Sequence, residues 1–112
     1  MNPLEIWSFE VDFPVTLCDK EGKIVGLNQK SIEFFTEDGG ADLIGRSLLD
    51  CHPEPSRSKL IELLANPRPN TYYSDSSMGK LLVHETPWFV DGTYMGLVAI
   101  LITLPISDQS VG

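Results

Sequence analysis

Apolar positions along the chain change period several times, and each change marks an element. In residues 3–12, Leu4, Trp7 and Val11 recur at helical spacing and predict an amphipathic helix whose apolar face packs either on its own domain or on a second copy. Residues 13–18 are rich in β-formers, Asp19-Lys20-Glu21-Gly22 has turn chemistry, and Ile24, Val25 and Leu27 follow, which predicts a hairpin. Asn28 reads as an N-cap for a short helix through Thr36, with Ile32 and Phe35 as its buried face. Asp42-Leu43-Ile44-Gly45 predicts a single turn closed by glycine, and Ser47 with Asp50 a weak capping box for Leu48, Leu49 and Cys51.

Pro53 and Pro55 suit a helix start, and residues 56–66 carry Leu60, Ile61, Leu63 and Leu64 before Pro67 and Pro69 stop the helix. The last third reads as β, over 70–74, 80–90 and 93–104, with a turn at Asp91-Gly92. Two strands, several short helices and three strands predict an α+β domain in which an antiparallel sheet of about five strands carries the helices on one face. Both sides of the final strand are apolar, Leu97, Ala99 and Leu101 on one and Val98, Ile100 and Ile102 on the other. The second side therefore needs cover from the N-terminal helix, from a second subunit, or from both.

At 112 residues the chain has room for one domain. Any internal ligand is expected to be small and to displace core side chains. A formal charge of −8 repels a phosphate backbone, so nucleic acid is not an expected partner. The longest apolar run, residues 95–102, is far short of the ~20 residues of a membrane helix. Residues 1–12 carry Glu5, Glu10 and Asp12 and no Lys or Arg, unlike a secretory signal, which favours a cytoplasmic setting with Cys18 and Cys51 as free thiols.

Three pieces in order, Asp19-x-x-Gly22-x-Ile24-x-x-x-Asn28, then Leu43-Ile44-Gly45-Arg46-Ser47-Leu48, then Pro87 with Gly92 and Gly96 before a long apolar strand, resemble the PAS sensor-domain family. The resemblance covers about residues 13–104. It implies a five-stranded antiparallel sheet with a helical cradle, in a cytoplasmic signalling module that binds a small ligand or forms a homodimer. On that reading residues 1–12 are an N-terminal helical cap, 13–105 the sensor domain and 106–112 a flexible tail. Two departures bear on function. Where the family commonly ends in an Asp-Ile-Thr signal leading to an output domain, this chain has Leu101-Ile102-Thr103-Leu104-Pro105, so a separate signalling output protein is a candidate partner. The flavin-binding light sensors carry Asn-Cys-Arg-Phe-Leu-Gln, which Leu49-Asp50-Cys51-His52-Pro53 does not match, so flavin photochemistry is not expected.

Cys51-His52-Pro53 is the one place where two soft or borderline metal ligands adjoin. Structurally, Cys51 would pack as a small hydrophobe and His52 would bond a loop carbonyl; chemically, His52 could hold haem or another metal, or Cys51 could serve in redox. Adjacent helical residues point about 100° apart, which argues against one site using both. A two-residue turn at Asp91-Gly92 pairs Val90 with Thr93 and puts His84 opposite Ala99. His84, Thr86 and Trp88 would then share a face with Met95, Leu97, Ala99 and Leu101, either as the polar side of a ligand pocket or as the edge of the core. The candidate cavity set is Phe35, Leu48, Cys51, His52, Leu64, His84, Leu97 and Ala99, and the candidate dimer interface Leu4, Trp7, Val11, Val98, Ile100 and Ile102. The ligand is unassigned. Ser56 and Ser58 lack a nucleophile-elbow setting and Gly39-Gly40 lacks a phosphate-loop sequence, so catalysis is not expected.

Overall fold

Asn28 holds the first third of the chain together. Its side-chain oxygen accepts hydrogen bonds from Val15 N and Ser31 N, and its amide donates to the carbonyls of Ser8 and Phe13, all at 2.9 Å. One buried side chain thus caps a helix, anchors the start of a strand and fastens the N-terminal segment. In the computed structural model, which describes residues 2–76 and 79–105, the elements are α1 (Pro3–Ile6), β1 (Val15–Cys18), β2 (Ile24–Leu27), α2 (Gln29–Phe34), α3 (Ser56–Ala65), β3 (Asn70–Ser76), β4 (Gly79–Val90) and β5 (Thr93–Thr103). The expected tail over 106–112 lies outside the described residues.

The five strands form one antiparallel sheet in the order β2-β1-β5-β4-β3, so the first hairpin abuts the last strand and the helical segment between them arches over one face. Asp19 closes the hairpin turn by accepting from the backbone N–H groups of Glu21 and Lys23. Ser47 accepts from Leu49 N and caps the 3-10 turn Leu48–Cys51. Under the arch, Cys18, Leu60, Leu63, Leu64 and Leu97 form the core, with Leu48 and Leu49 packed against it. The buried residue of α2 is Ser31 rather than Ile32 or Phe35: its hydroxyl bonds Thr16 Oγ1 at 2.6 Å, so a polar pair joins helix to sheet where an apolar one was expected.

The N-terminal segment departs from a continuous amphipathic helix. α1 lasts one turn and tightens into a 3-10 turn at Trp7–Phe9, so Val11 lies beyond the helix and off the predicted Leu4, Trp7, Val11 stripe. Trp7 rests its ring near Phe13, 6.3 Å between centroids, while Leu4 and Phe9 are 80% and 70% exposed.

The register of β4 and β5 has one irregularity. Val90 faces Thr93 and Phe89 faces Tyr94, as a tight turn at Asp91-Gly92 requires, but Trp88 faces Gly96, leaving Met95 as the extra residue of a β-bulge. Beyond it Glu85, not His84, stands opposite Ala99, and His84 stands opposite Ile100. Every β4 side chain past the bulge therefore lies on the other face from the one expected. The bulge sits where the end of β1 crosses β5. Gly96 has φ +146°, and a Cβ there would collide with the Cys18 carbonyl oxygen and the Asp19 backbone. The same carbonyl accepts a hydrogen bond from Trp88 Nε1 at 3.1 Å. A methyl group at Gly96 must push two backbones apart, whereas one at Gly92, also at positive φ, meets no atom within 4 Å. Gly96→Ala is expected to lower the stability to urea by about 3 kcal/mol and Gly92→Ala by about 1 kcal/mol; equal losses would contradict the close crossing.

Candidate functional site

Because β-strand side chains alternate, the face of the sheet under the helical arch carries Leu81, Val83 and Glu85 from β4, Leu97, Ala99 and Leu101 from β5, Thr16 from β1 and Asn70, Tyr72 and Ser74 from β3. Leu97 belongs to the packed core at one end. Toward the other end the helices do not reach the sheet, and a cavity of about 620 Å³ remains between Leu81, Val83, Glu85, Ala99 and Leu101 below and Phe34, Phe35, Leu43, Leu48, His52 and Leu60 above. Asp38, Arg46, Cys51 and Asp75 are exposed lining residues and mark its mouth. A smaller cavity of about 340 Å³ adjoins it along α3 and shares His52, Leu60, Tyr72 and Glu85 with it. The space is preformed, so a ligand of modest size need not displace the core side chains as the chain length alone implied.

Where the two cavities meet, His52, Tyr72 and Glu85 bring polar groups together. Asn70 Nδ2 donates to Glu85 Oε1 at 3.1 Å across the β3–β4 pair. Tyr72, the diagonal neighbour of Glu85 on the same face, has its phenol pushed up to about 12, first by removal of water from around it and second by the Glu85 carboxylate. Above them, His52 Nδ1 lies 2.7 Å from the Leu48 carbonyl oxygen. A carbonyl only accepts, so Nδ1 carries the proton and, in the neutral ring, Nε2 is an acceptor. Arg57 Nη1 donates to the Leu49 carbonyl at 2.7 Å and ties α3 to this turn.

Of the expected cavity set, Phe35, Leu48, Cys51, His52 and Ala99 line the space. Leu64 and Leu97 are packed in the core instead, since the wide end of the cavity opens away from them. His84 is on the opposite face, where Thr71 Oγ1 lies 2.7 Å from its Nδ1. The bulge moves it there and delivers Glu85 in its place. Of the further lining residues outside the expected set, Tyr72, Ser74, Leu81 and Val83 come with the same register and with its continuation into β3, while Phe34, Leu43 and Leu60 come from the arch. One signal was present: a glycine inside an apolar strand marks a bulge or a close backbone approach, and Gly96 is both.

Cys51 is exposed at the end of its 3-10 turn rather than packed as a small hydrophobe. His52 bonds a loop carbonyl, as the structural reading held. Cys18 is free and buried, and burial pushes its thiol up. Among the described residues no three of His, Cys, Asp and Glu gather in a way that could hold a metal ion, and no helix is long and apolar enough to cross a membrane. On the outer face, Val98 and Ile100 are half-buried and Ile102 is 42% exposed, with Leu82 and His84 beside them.

A five-stranded antiparallel sheet in this order, with short helices and turns arched over one face and a cavity between, is the fold of a PAS domain. The PAS domain of BvgS from Bordetella pertussis superposes with a TM-score of 0.72 at 16% identity, over 96% of this chain and 88% of that one. The PAS domain of an HTR-like protein from Haloarcula marismortui gives 0.62 at 18% identity, over 90% and 94% of the two chains. The Aer2 receptor from Vibrio cholerae, described as a dual PAS-heme oxygen sensor, gives 0.60 at 18% identity, over 83% and 95%. No protein-family model matches the sequence, and no curated protein is significantly similar to it.

Proposed function

We propose that this chain is a signal-sensing module of the PAS type, non-catalytic, whose cavity receives a small ligand. The observation that carries the reading is the preformed space of about 620 Å³, walled by aliphatic and aromatic side chains and holding a few convergent polar groups where it meets its smaller neighbour. That size and that mix of lining are those of small-molecule sites, typically ~300–1,000 Å³. The reading of a ligand-free interaction module supposes a cavity filled by side chains, and the open space weighs against it. The resemblance to sensor PAS domains adds to the case at the level of fold only.

A ligand in this space touches the sheet through Val83 and Ala99 and the arch through Phe35, Leu48 and His52. If it binds two arrangements of the arch unequally it shifts the balance between them, and the outer face of the sheet is the surface able to pass that shift on. Val98, Ile100 and Ile102 form an apolar stripe there, and Leu4, Phe9 and Trp7 add exposed apolar surface at the N-terminus. A second copy covering this stripe makes the module a homodimer, with a signalling output protein as a further partner.

Filling the cavity tests the first claim. In Ala99→Phe the new ring occupies the middle of the floor, and the variant is expected to stay folded while losing any small molecule that native mass spectrometry detects on the wild-type protein, or any thermal upshift that a metabolite library produces. Retention of the same ligand with unchanged affinity would contradict the assignment of the cavity. For the outer face, Ile100→Glu places a carboxylate in the stripe and is expected to convert a dimer to a monomer in sedimentation at micromolar concentration. A wild-type chain that is already monomeric there, or a variant that stays dimeric, would count against this interface.

A further inference from the structure

Among the floor residues that β4 and β5 give the cavity, one carboxylate interrupts the aliphatic side chains, and the strand register delivers it there. Glu85 lies between Val83 and Pro87 in β4, opposite Ala99 on one side and Asn70 on the other, on a face it shares with Leu81, Val83, Leu97 and Leu101 and with Tyr72 of β3. It lines both cavities, so a molecule in either one meets it. A carboxylate offers about four acceptor positions, and the Asn70 amide takes one of them at Oε1. His52 also lines both cavities, and in the neutral ring, with Nδ1–H donated to the Leu48 carbonyl, its Nε2 is a second acceptor. The wider charge pattern has the same sign. Three carboxylates, Asp38, Asp75 and Glu85, line the larger cavity against one guanidinium, Arg46, in a chain of formal charge −8.

Such a site is poor for an anion and well matched to a donor. From this geometry we infer that the ligand is a small organic amine: a protonated nitrogen placed on Glu85, with an apolar body lying along Val83, Ala99 and Leu101 under Phe35 and Leu48. The inference rests on the cavity reading above and adds the chemical class of its occupant. A protonated amine on this half-buried carboxylate makes a charge-assisted hydrogen bond, stronger than a neutral one. The apolar body is what separates this ligand from a free metal ion or an inorganic cation, neither of which would use the aliphatic walls. Tyr72, its phenol held protonated well above neutral pH, stands beside Glu85 as an uncharged neighbour to the incoming cation.

Three probes of one shape distinguish the outcomes: 4-phenylbutylamine, 4-phenylbutanol and 4-phenylbutyrate, each titrated into the wild-type protein by calorimetry or ligand-observed NMR at neutral pH. The expected order is amine tightest, alcohol weaker by about tenfold or more, and carboxylate weakest. In Glu85→Gln, which keeps the shape and the contact to Asn70, the preference for the amine over the alcohol is expected to vanish. If the alcohol or the carboxylate binds the wild type as tightly as the amine, the cavity reading stands and the amine inference is overturned. If the amine is preferred but Glu85→Gln leaves that preference unchanged, Glu85 is not its partner and the inference is again overturned. If none of the three binds, the cavity reading itself fails, and the inference with it. If Glu85→Gln does not fold, Glu85→Met carries the same comparison, with loss of the preference for the amine expected and its retention overturning the inference.

Discussion

The place where β1 crosses β5 sets the chemistry of the whole front face. The Cys18 carbonyl lies against Gly96 so closely that no side chain is tolerated there, and Trp88 Nε1 bonds the same oxygen from β4. Three strands are tied at one point, and β5 absorbs an extra residue, Met95, to satisfy them. From that point outward each pair of β4 and β5 is displaced by one residue from a simple hairpin, and in a structure of period two a displacement by one exchanges the faces. Leu81 and Val83 thereby come to the cavity floor with Glu85, while His84 goes to the outer face beside Ile100. The carboxylate of the cavity floor thus follows from a backbone contact level with Trp88, three residues along β4 from Glu85.

Asn28 plays the corresponding part for the arch. Its four hydrogen bonds join the N-terminal segment, the start of β1 and the first turn of α2, so the helix begins at a fixed height above the sheet. The hydrogen bond between buried Ser31 and half-buried Thr16 sets the spacing one turn further on. At the far end of the arch, Arg57 holds the Leu48–Cys51 turn to α3, and Tyr94 donates to the Leu64 carbonyl at 3.0 Å. Fastened at both ends and packed in the core through Leu60, Leu63 and Leu64 with Leu48 and Leu49 against them, the arch stands clear of the sheet between Leu81 and Leu101, and that clearance is the cavity.

Much of this architecture was legible in the sequence because it is local. The Asp19 to Gly22 turn, the Asn28 and Ser47 caps, the leucine run of α3 and the Asp91-Gly92 turn each carry their own signal within a few residues. The order of elements along the chain and the sheet class followed from the succession of periodicities and from the likeness to PAS domains. The candidate site was legible in its arch, where Phe35, Leu48, Cys51 and His52 line the space, and at Ala99 of the floor, and misread along β4, where His84 was expected and Glu85 is found. The cause is non-local: the bulge exists because β1, some seventy residues earlier in the chain than Trp88, occupies the position a regular β5 would need. Leu64 and Leu97 were misplaced for a related reason, since apolar character alone does not distinguish a wall that packs from a wall that stands open.

The account turns on register, and register is directly observable. Cross-strand nuclear Overhauser contacts in the folded wild-type chain are predicted to pair Glu85 with Ala99 and His84 with Ile100, with Val90 still facing Thr93 across the turn. Contacts that instead pair His84 with Ala99, unbroken from the turn onward, would remove the bulge, return the histidine to the cavity, and contradict the account at its centre.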